Sequence, residues 1–195
     1  MRIVAGKWRG RTLRAPKGHA VRPTQDRVRE AVFDILAGRV EGTAVLDLFA
    51  GTGAMALEAL SRGASSAVLV ESEPRVFEVL RRNVASLGAG EAEALLSDYR
   101  QAVRLLRARR KRFDLVFLDP PYGKGLGSAA AGALVRAGLI GPGALVVAEE
   151  AVRVPDDPYP PGWAVAADRR YGDTRIRVFD VQAGEAGPAT DEETR

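Results

Sequence analysis

Between residues 44 and 150 the chain alternates short apolar runs with longer stretches in which apolar residues recur every three or four positions. The runs are "AVLDLFA" (44–50), "SAVLVE" (66–71), the weaker "EAEALLS" (91–97), "FDLVFLD" (113–119) and "GALVVAEE" (143–150), each of strand length. Between them "GTGAMALEALSRG", "PRVFEVLRRNVASLG", "YRQAVRLLRAR" and "GSAAAGALVRAG" have helical spacing. Pro74 suits a first helical turn and Gly88 a helix end. Repeated strand-helix units predict an α/β fold with a doubly wound, mostly parallel sheet, whose ligands bind outside the carboxyl ends of the strands.

The flanks depart from this rhythm. Residues 2–14, "RIVAGKWRGRTLR", hold glycines where a hairpin would turn and predict a small β arm. "RPTQDRVREAVFDIL" (22–36) predicts a helix that Thr24 can cap, with Val28, Val32, Phe33, Ile35 and Leu36 on its apolar face. Near the end, "GWAVAADRRYGDTRIRVFDV" predicts an antiparallel hairpin turning at "GDT". The last stretch, from Gly184, lacks large apolar residues and predicts a frayed end. The expected organisation is a basic arm at 1–22, a main domain at 23–182 and an acidic tail at 183–195.

Composition narrows the chemistry. There is no cysteine, which excludes disulfides, thiolate nucleophiles and zinc-cysteine or iron–sulfur centres. His19 is the only histidine, so a histidine-based triad or metal site starts with one candidate and no metal is expected. No apolar run approaches the roughly 20 residues that span a bilayer, and the basic N-terminus is not followed by an apolar signal segment. The expected location is therefore the cytoplasm, with no membrane partner. Charge is uneven: residues 1–29 carry nine basic side chains against Asp26 alone. Within that arm Arg2, Lys7, Arg9 and Arg11 are interleaved with Trp8 and glycines, a pattern that favours nucleic acid. A second cluster, "RLLRARRKR" at 104–112, reads by itself as a solvated surface.

Four strand ends carry candidate chemistry. Asp47, Phe49, Gly51 and Gly53 form a glycine turn at the first strand-helix junction, where missing side chains let a ligand approach the backbone. Such a turn serves dinucleotides, nucleotides and adenosylmethionine alike. Glu71 closes the second strand, where an acid can accept from both ribose hydroxyls of an adenosine-type cofactor. Asp98, after the third strand, can face an adenine edge and also cap the next helix. At the fourth, Asp119 is followed by Pro120 and Pro121, which lack N–H groups and end the ladder, and then by Tyr122. A carboxylate, a backbone carbonyl and a flat ring suit an exocyclic amino group, which offers two N–H donors and a stacking face.

"DLFAGTG" at 47–53 with "DPPY" at 119–122 resembles the S-adenosylmethionine-dependent amino-group methyltransferases, and the tetrapeptide is the specific part. "RIVAGKWRGRTL", "RPTQDRVREAVFDIL" and "FAGTGAMALEALSRGA" further resemble the bacterial RsmD-type guanine-N2 methyltransferases of small-subunit ribosomal RNA, over about residues 1–182. The resemblance implies a Rossmann-like class I methyltransferase with seven strands. It also implies methyl transfer to the N2 amino group of one guanine in 16S ribosomal RNA, within a 30S subunit or an assembly intermediate, by a monomer. On that basis Asp47, Gly51 and Gly53 would line the methionine end of the cofactor, Glu71 the ribose and Asp98 the adenine. Asp119 and the Pro120 carbonyl would hold the target amino group, and Tyr122 would stack on the base. Arg22 and Thr24 either border the target pocket or simply begin a helix, and Gly123 to Gly127 form a lid or merely a turn.

Three rivals use the same residues differently. An adenine-N6 DNA methyltransferase can share the tetrapeptide, but the arm matches the ribosomal RNA enzymes. A nicotinamide-dependent oxidoreductase would leave the Asp119–Tyr122 stretch without a task. A non-catalytic RNA-binding protein would have no need of the acidic and glycine positions.

Overall fold

The structure, a computed structural model, describes residues 1–16, 23–121, 125–153 and 158–182, with the side chains of 23–25 outside that description. The expectations that involve His19, Arg22, Tyr122, the Thr24 side chain, residues 123–124 and the tail from 183 therefore lie outside the described residues.

Helix α1 (Pro23–Ile35) precedes four strand-helix steps and a fifth strand: β1 (Ala44–Asp47), α2 (Ala54–Ser61), β2 (Ser66–Glu71), α3 (Pro74–Leu87), β3 (Ala92–Leu96), α4 (Tyr99–Ala108), β4 (Phe113–Leu118), α5 (Leu126–Arg136) and β5 (Ile140–Ala151). The hairpin of β6 (Trp163–Tyr171) and β7 (Thr174–Val181) closes the fold, with Gly172 and Asp173 at its turn. α1 starts at Pro23, which puts Thr24 inside the first turn rather than ahead of it. Proline suits that first position because its φ is already helical and its missing N–H would have had no partner.

The seven strands run in the order β3-β2-β1-β4-β5-β7-β6. The pairings from β3 to β5 are parallel, and those of β7 with β5 and β6 are antiparallel. Covered on both faces, the central strands carry runs of consecutive apolar residues, such as Leu115 to Leu118, rather than alternating ones. Val45, Leu115 and Phe117 face a core shared with α1, α2 and α3, whereas Leu46, Val116 and Leu118 face one shared with α4 and α5. Leu115 and Val116 are fully buried, and truncating such a leucine to alanine costs about 2–5 kcal/mol.

The N-terminal segment makes a hairpin held by the Arg2–Thr12 bridge and packs along α2 and α3. Ile3 and Leu13 belong to the core. Its backbone is seated by polar side chains. Glu58, fully buried on α2, accepts from the N–H groups of Val4 at 2.8 Å and Ala5 at 2.9 Å. Ser61 accepts from Lys7 N through its carbonyl at 2.8 Å and from Trp8 N through its hydroxyl at 3.0 Å. Gly6 crosses so close to Ser61 that a Cβ would lie 1.7 Å from its carbonyl oxygen, so no other residue fits without undocking the hairpin. Asn83, fully buried on α3, accepts from Arg14 N at 2.8 Å and donates to the carbonyls of Arg14 and Thr52.

Among the described residues no helix is long and apolar enough to cross a membrane, and no group of three or more His, Cys, Asp or Glu side chains could hold a metal ion.

Candidate active site

Parallel pairing brings the carboxyl ends of the strands to one edge. Asp47 is in register with Leu69 and Phe117, and Leu118 with Ala148, so Asp119 follows directly beside Glu149. Glu71, Asp98, Asp47 and Asp119 thus share this edge, as the spacing of the motifs predicts. Glu149 joins them from β5, and sequence reasoning missed it because no motif surrounds it.

The glycine turn is built by its acids. Asp47 is buried and its carboxylate accepts from the backbone N–H groups of Phe49 and Ala56. Glu71 takes the Gly51 N–H at 3.0 Å on one oxygen and the Glu73 N–H at 2.7 Å on the other, leaving further lone pairs on each. The two glycines differ in purpose. Gly51, at φ +55°, has no atom within 4 Å of where a Cβ would sit, so open space adjoins the turn there. Gly53, at φ +83°, adopts a left-handed conformation that disfavours a side chain, and a Cβ there would also lie 2.5 Å from Leu80 Cδ1. The Phe49 ring lies 5.7 Å from that of Tyr99, an aromatic partner the motifs do not reveal. Asp98 does cap α4, accepting from Arg100 N at 2.9 Å and Gln101 N at 3.1 Å.

Crowded carboxyls disturb one another. Burial pushes the Asp47 carboxyl up to about 7, against the pull of its two N–H bonds, and the Glu71 charge adds to the rise. Asp119 as a residue is exposed to solvent, while protein groups crowd around its carboxyl. That desolvation, followed by the charges of Glu149 and Asp47, holds it well above the usual carboxylate range. The edge is therefore short of positive charge, and a cation or an N–H donor bound there would relieve it.

A brace lies against the first turn of α5. Glu150 accepts from Tyr159 Oη at 3.1 Å and pairs with Arg177 at 2.6 Å, while the Arg177 guanidinium lies over the Tyr159 ring. Tyr159 Oη would sit 2.9 Å from a Cβ at Gly127, in the first turn of α5. The C-terminal hairpin thus buttresses the element that follows the proline pair.

The basic residues of the arm take up several positions. Lys7 pairs with Glu91 at 2.6 Å and covers the Trp8 ring, whose other side packs on the core. Arg11 donates to the Ser86 carbonyl, and Arg2 and Arg9 are exposed.

Comparison with known proteins adds a lineage to this geometry. The family model described as conserved hypothetical protein 95 matches residues 1–180. Ribosomal RNA small subunit methyltransferase D of Escherichia coli K12 is 36% identical over 183 residues, 94% of this chain and 91% of that protein. The protein of the same name in Haemophilus influenzae is 32% identical, over 92% of this chain and 93% of its own length. A solved structure of a candidate methyltransferase from Escherichia coli superposes with a TM-score of 0.84 at 36% identity, over 94% of this chain and 98% of that one.

Proposed function

The chain belongs to the conserved hypothetical protein 95 family, which includes the ribosomal RNA small subunit methyltransferases D, and we propose that it methylates the exocyclic N2 amino group of one guanine in 16S ribosomal RNA. The single observation that carries this reading is Asp119: an acid at the end of a central strand, raised by burial and by Glu149, next to the Asp47 turn and followed by two prolines. We propose that S-adenosylmethionine is the donor, that the substrate is a 30S particle or assembly intermediate in the cytoplasm, and that a monomer without a metal suffices.

The residues fit that donor. When bound, S-adenosylmethionine supplies an electrophilic methyl group on a positively charged sulfur. The open side of Gly51 leaves room beside the turn, Glu71 has lone pairs left for ribose hydroxyls, and the acids of this edge favour a cation. Phe49 and Asp98 flank the adenine side. Asp47 acts from behind, holding the turn through Phe49 and Ala56.

The substrate nitrogen is a weak nucleophile because its lone pair is delocalised into the guanine ring. Asp119 accepts one of its N–H bonds and the Pro120 carbonyl the other, which favours a pyramidal nitrogen with its lone pair directed at the methyl. Tyr122 stacks on the base. Orientation of this kind relieves about 7–11 kcal/mol of barrier in well-aligned pairs. One proton must leave the nitrogen as it gains the methyl, and a carboxyl already held above its ordinary range accepts a proton readily. A paired guanine must first leave its stack, at a cost of a few kcal/mol, which phosphate contacts along the basic arm offset.

The test is methyl transfer from labelled S-adenosylmethionine to small subunits from cells lacking this protein, with nucleoside mapping of the product. One N2-methylguanosine per 16S molecule is expected. Label found only in adenine of duplex DNA would refute the reading.

A further inference from the structure

Four helices end in the same way. In α2, α3 and α5 a glycine just past the helix, Gly63, Gly88 and Gly138, donates to the carbonyl three residues back, and the next residue donates five back. All three adopt positive φ, at +102°, +63° and +66°. This ending recruits glycine because a side chain in the left-handed region strains against the backbone. α4 makes the same two bonds, from Arg110 to Arg107 and from Lys111 to Leu106, yet the left-handed position is Arg110, at φ +54°. It is the one non-glycine residue with positive φ among the described residues. Where the fold asks for glycine and receives arginine, what is added is charge.

The surroundings say where that charge points. The turn after α4 lies at the amino ends of the parallel strands, opposite Asp119. β4, six residues long, separates the two by about 20 Å at roughly 3.3 Å per residue. A cleft at this amino edge is lined by the first residues of β1, β2 and β4 together with Glu91, Glu93, Lys111 and Arg112. Glu91 holds Lys7 of the N-terminal hairpin and Glu93 holds Arg109, at 2.6 and 2.5 Å. Two basic runs about a hundred residues apart in sequence therefore meet around one strand start. Arg9, Arg110, Lys111 and Arg112 remain exposed there, and no carboxylate among the described residues pairs with them.

We propose that the amino edge, formed by Lys7, Arg9, Arg109, Arg110, Lys111 and Arg112, is a second RNA-backbone site that grips phosphates of the substrate about 20 Å from the base being methylated. The proposal rests on the methyltransferase reading, since it needs an RNA substrate, and it extends the phosphate contacts of the arm to the turn after α4, which that reading leaves without a role. Its occupant is a polyphosphate backbone rather than a base, because exposed guanidinium and ammonium groups without a stacking platform read charge, not sequence. Binding at both edges requires RNA that runs along the flank of the domain, where the hairpin links one edge to the other.

The experiment uses the full chain with Arg110→Gly and with a triple variant that adds Lys111→Ser and Arg112→Ser. Thermal unfolding of Arg110→Gly should rise by about 2–4 °C, as expected for relief of one left-handed strain in a domain of this size. Affinity for small-subunit particles should fall several-fold in the triple variant, and the slope of log affinity against log salt should shrink by about 0.7–0.9 for each phosphate no longer neutralised. Affinity for S-adenosylmethionine should not move. An unchanged salt slope and RNA affinity would overturn the site, and an unchanged or lower melting temperature of Arg110→Gly would overturn the argument that arginine is held against the preference of the fold. Absence of any methyl transfer to small subunits by the wild-type chain would instead overturn the reading of its function.

Discussion

The carboxyl edge of the parallel strands gathers Asp47, Glu71, Asp119 and Glu149, whereas the amino edge gathers Lys7, Arg109, Lys111 and Arg112. The two differ in more than sign. At the carboxyl edge the acids are crowded, and desolvation with neighbouring charge raises Asp47 and Asp119, as is common for reacting groups. At the amino edge the cations are spread and wet, so each is worth little to the fold and is free to meet a polyanion. One edge crowds like charges around a buried Asp47, and the other spreads its charges into solvent.

The contrast breaks most sharply at Asp119. Asp119→Ala should lower kcat by about a thousandfold, within the range for a positioned proton acceptor, with little change in cofactor affinity. Methyl incorporation into small subunits checks it, and surviving turnover would remove Asp119 from the amino-holding role.

Next comes the hairpin that joins the edges. Glu58→Ala leaves two backbone N–H groups and the Arg62 guanidinium without their buried acceptor. The expected loss is about 3 kcal/mol, or roughly 6–12 °C in melting temperature for a chain of this length. Urea or thermal unfolding measures it, and a wild-type stability would mean that the hairpin docks by apolar contact alone.

A smaller effect sharpens the carboxyl edge. With its carboxyl near 7 in the fold and near 3.8 when unfolded, Asp47 binds more protons folded than unfolded between those values. Its contribution to stability therefore falls as pH rises from about 4 to 7 and is flat above, while a cationic cofactor favours the ionised form. Affinity for S-adenosylmethionine should rise several-fold from pH 6 to 8, measured by calorimetry, and Asp47→Asn should flatten that rise.

The smallest effect is at the amino edge. Lys7→Ser removes an exposed pair with Glu91 and should change stability by less than about 0.5 kcal/mol, while RNA affinity drops measurably at low salt. Equal RNA affinity of the two proteins would leave Lys7 a purely structural partner of Glu91.

The parallel strand-helix alternation and the convergence of Asp47, Glu71, Asp98 and Asp119 were legible because short motifs sit at strand ends, and the fold puts all parallel ends on one side. Glu149 was not, because its place beside Asp119 comes from the pairing of β4 with β5 and from no local pattern. Glu58 and Asn83 carry no sequence signal of their role, because the backbone groups they bind belong to a hairpin far away in the chain. Gly53 was visible as a required glycine, but Leu80 pressing from α3 was not. The charge of Arg110 is plain in the sequence, whereas its left-handed backbone is a property of the helix end alone.

The seating of the hairpin also orders events during translation. Val4 and Ala5 bond to Glu58, and Arg14 to Asn83, across 54, 53 and 69 residues of chain. Residues 1–14 are made before Glu58 and Asn83, and they cannot settle on the domain until α3 has emerged and packed. The earlier-made segment is thus the one that waits for the later one.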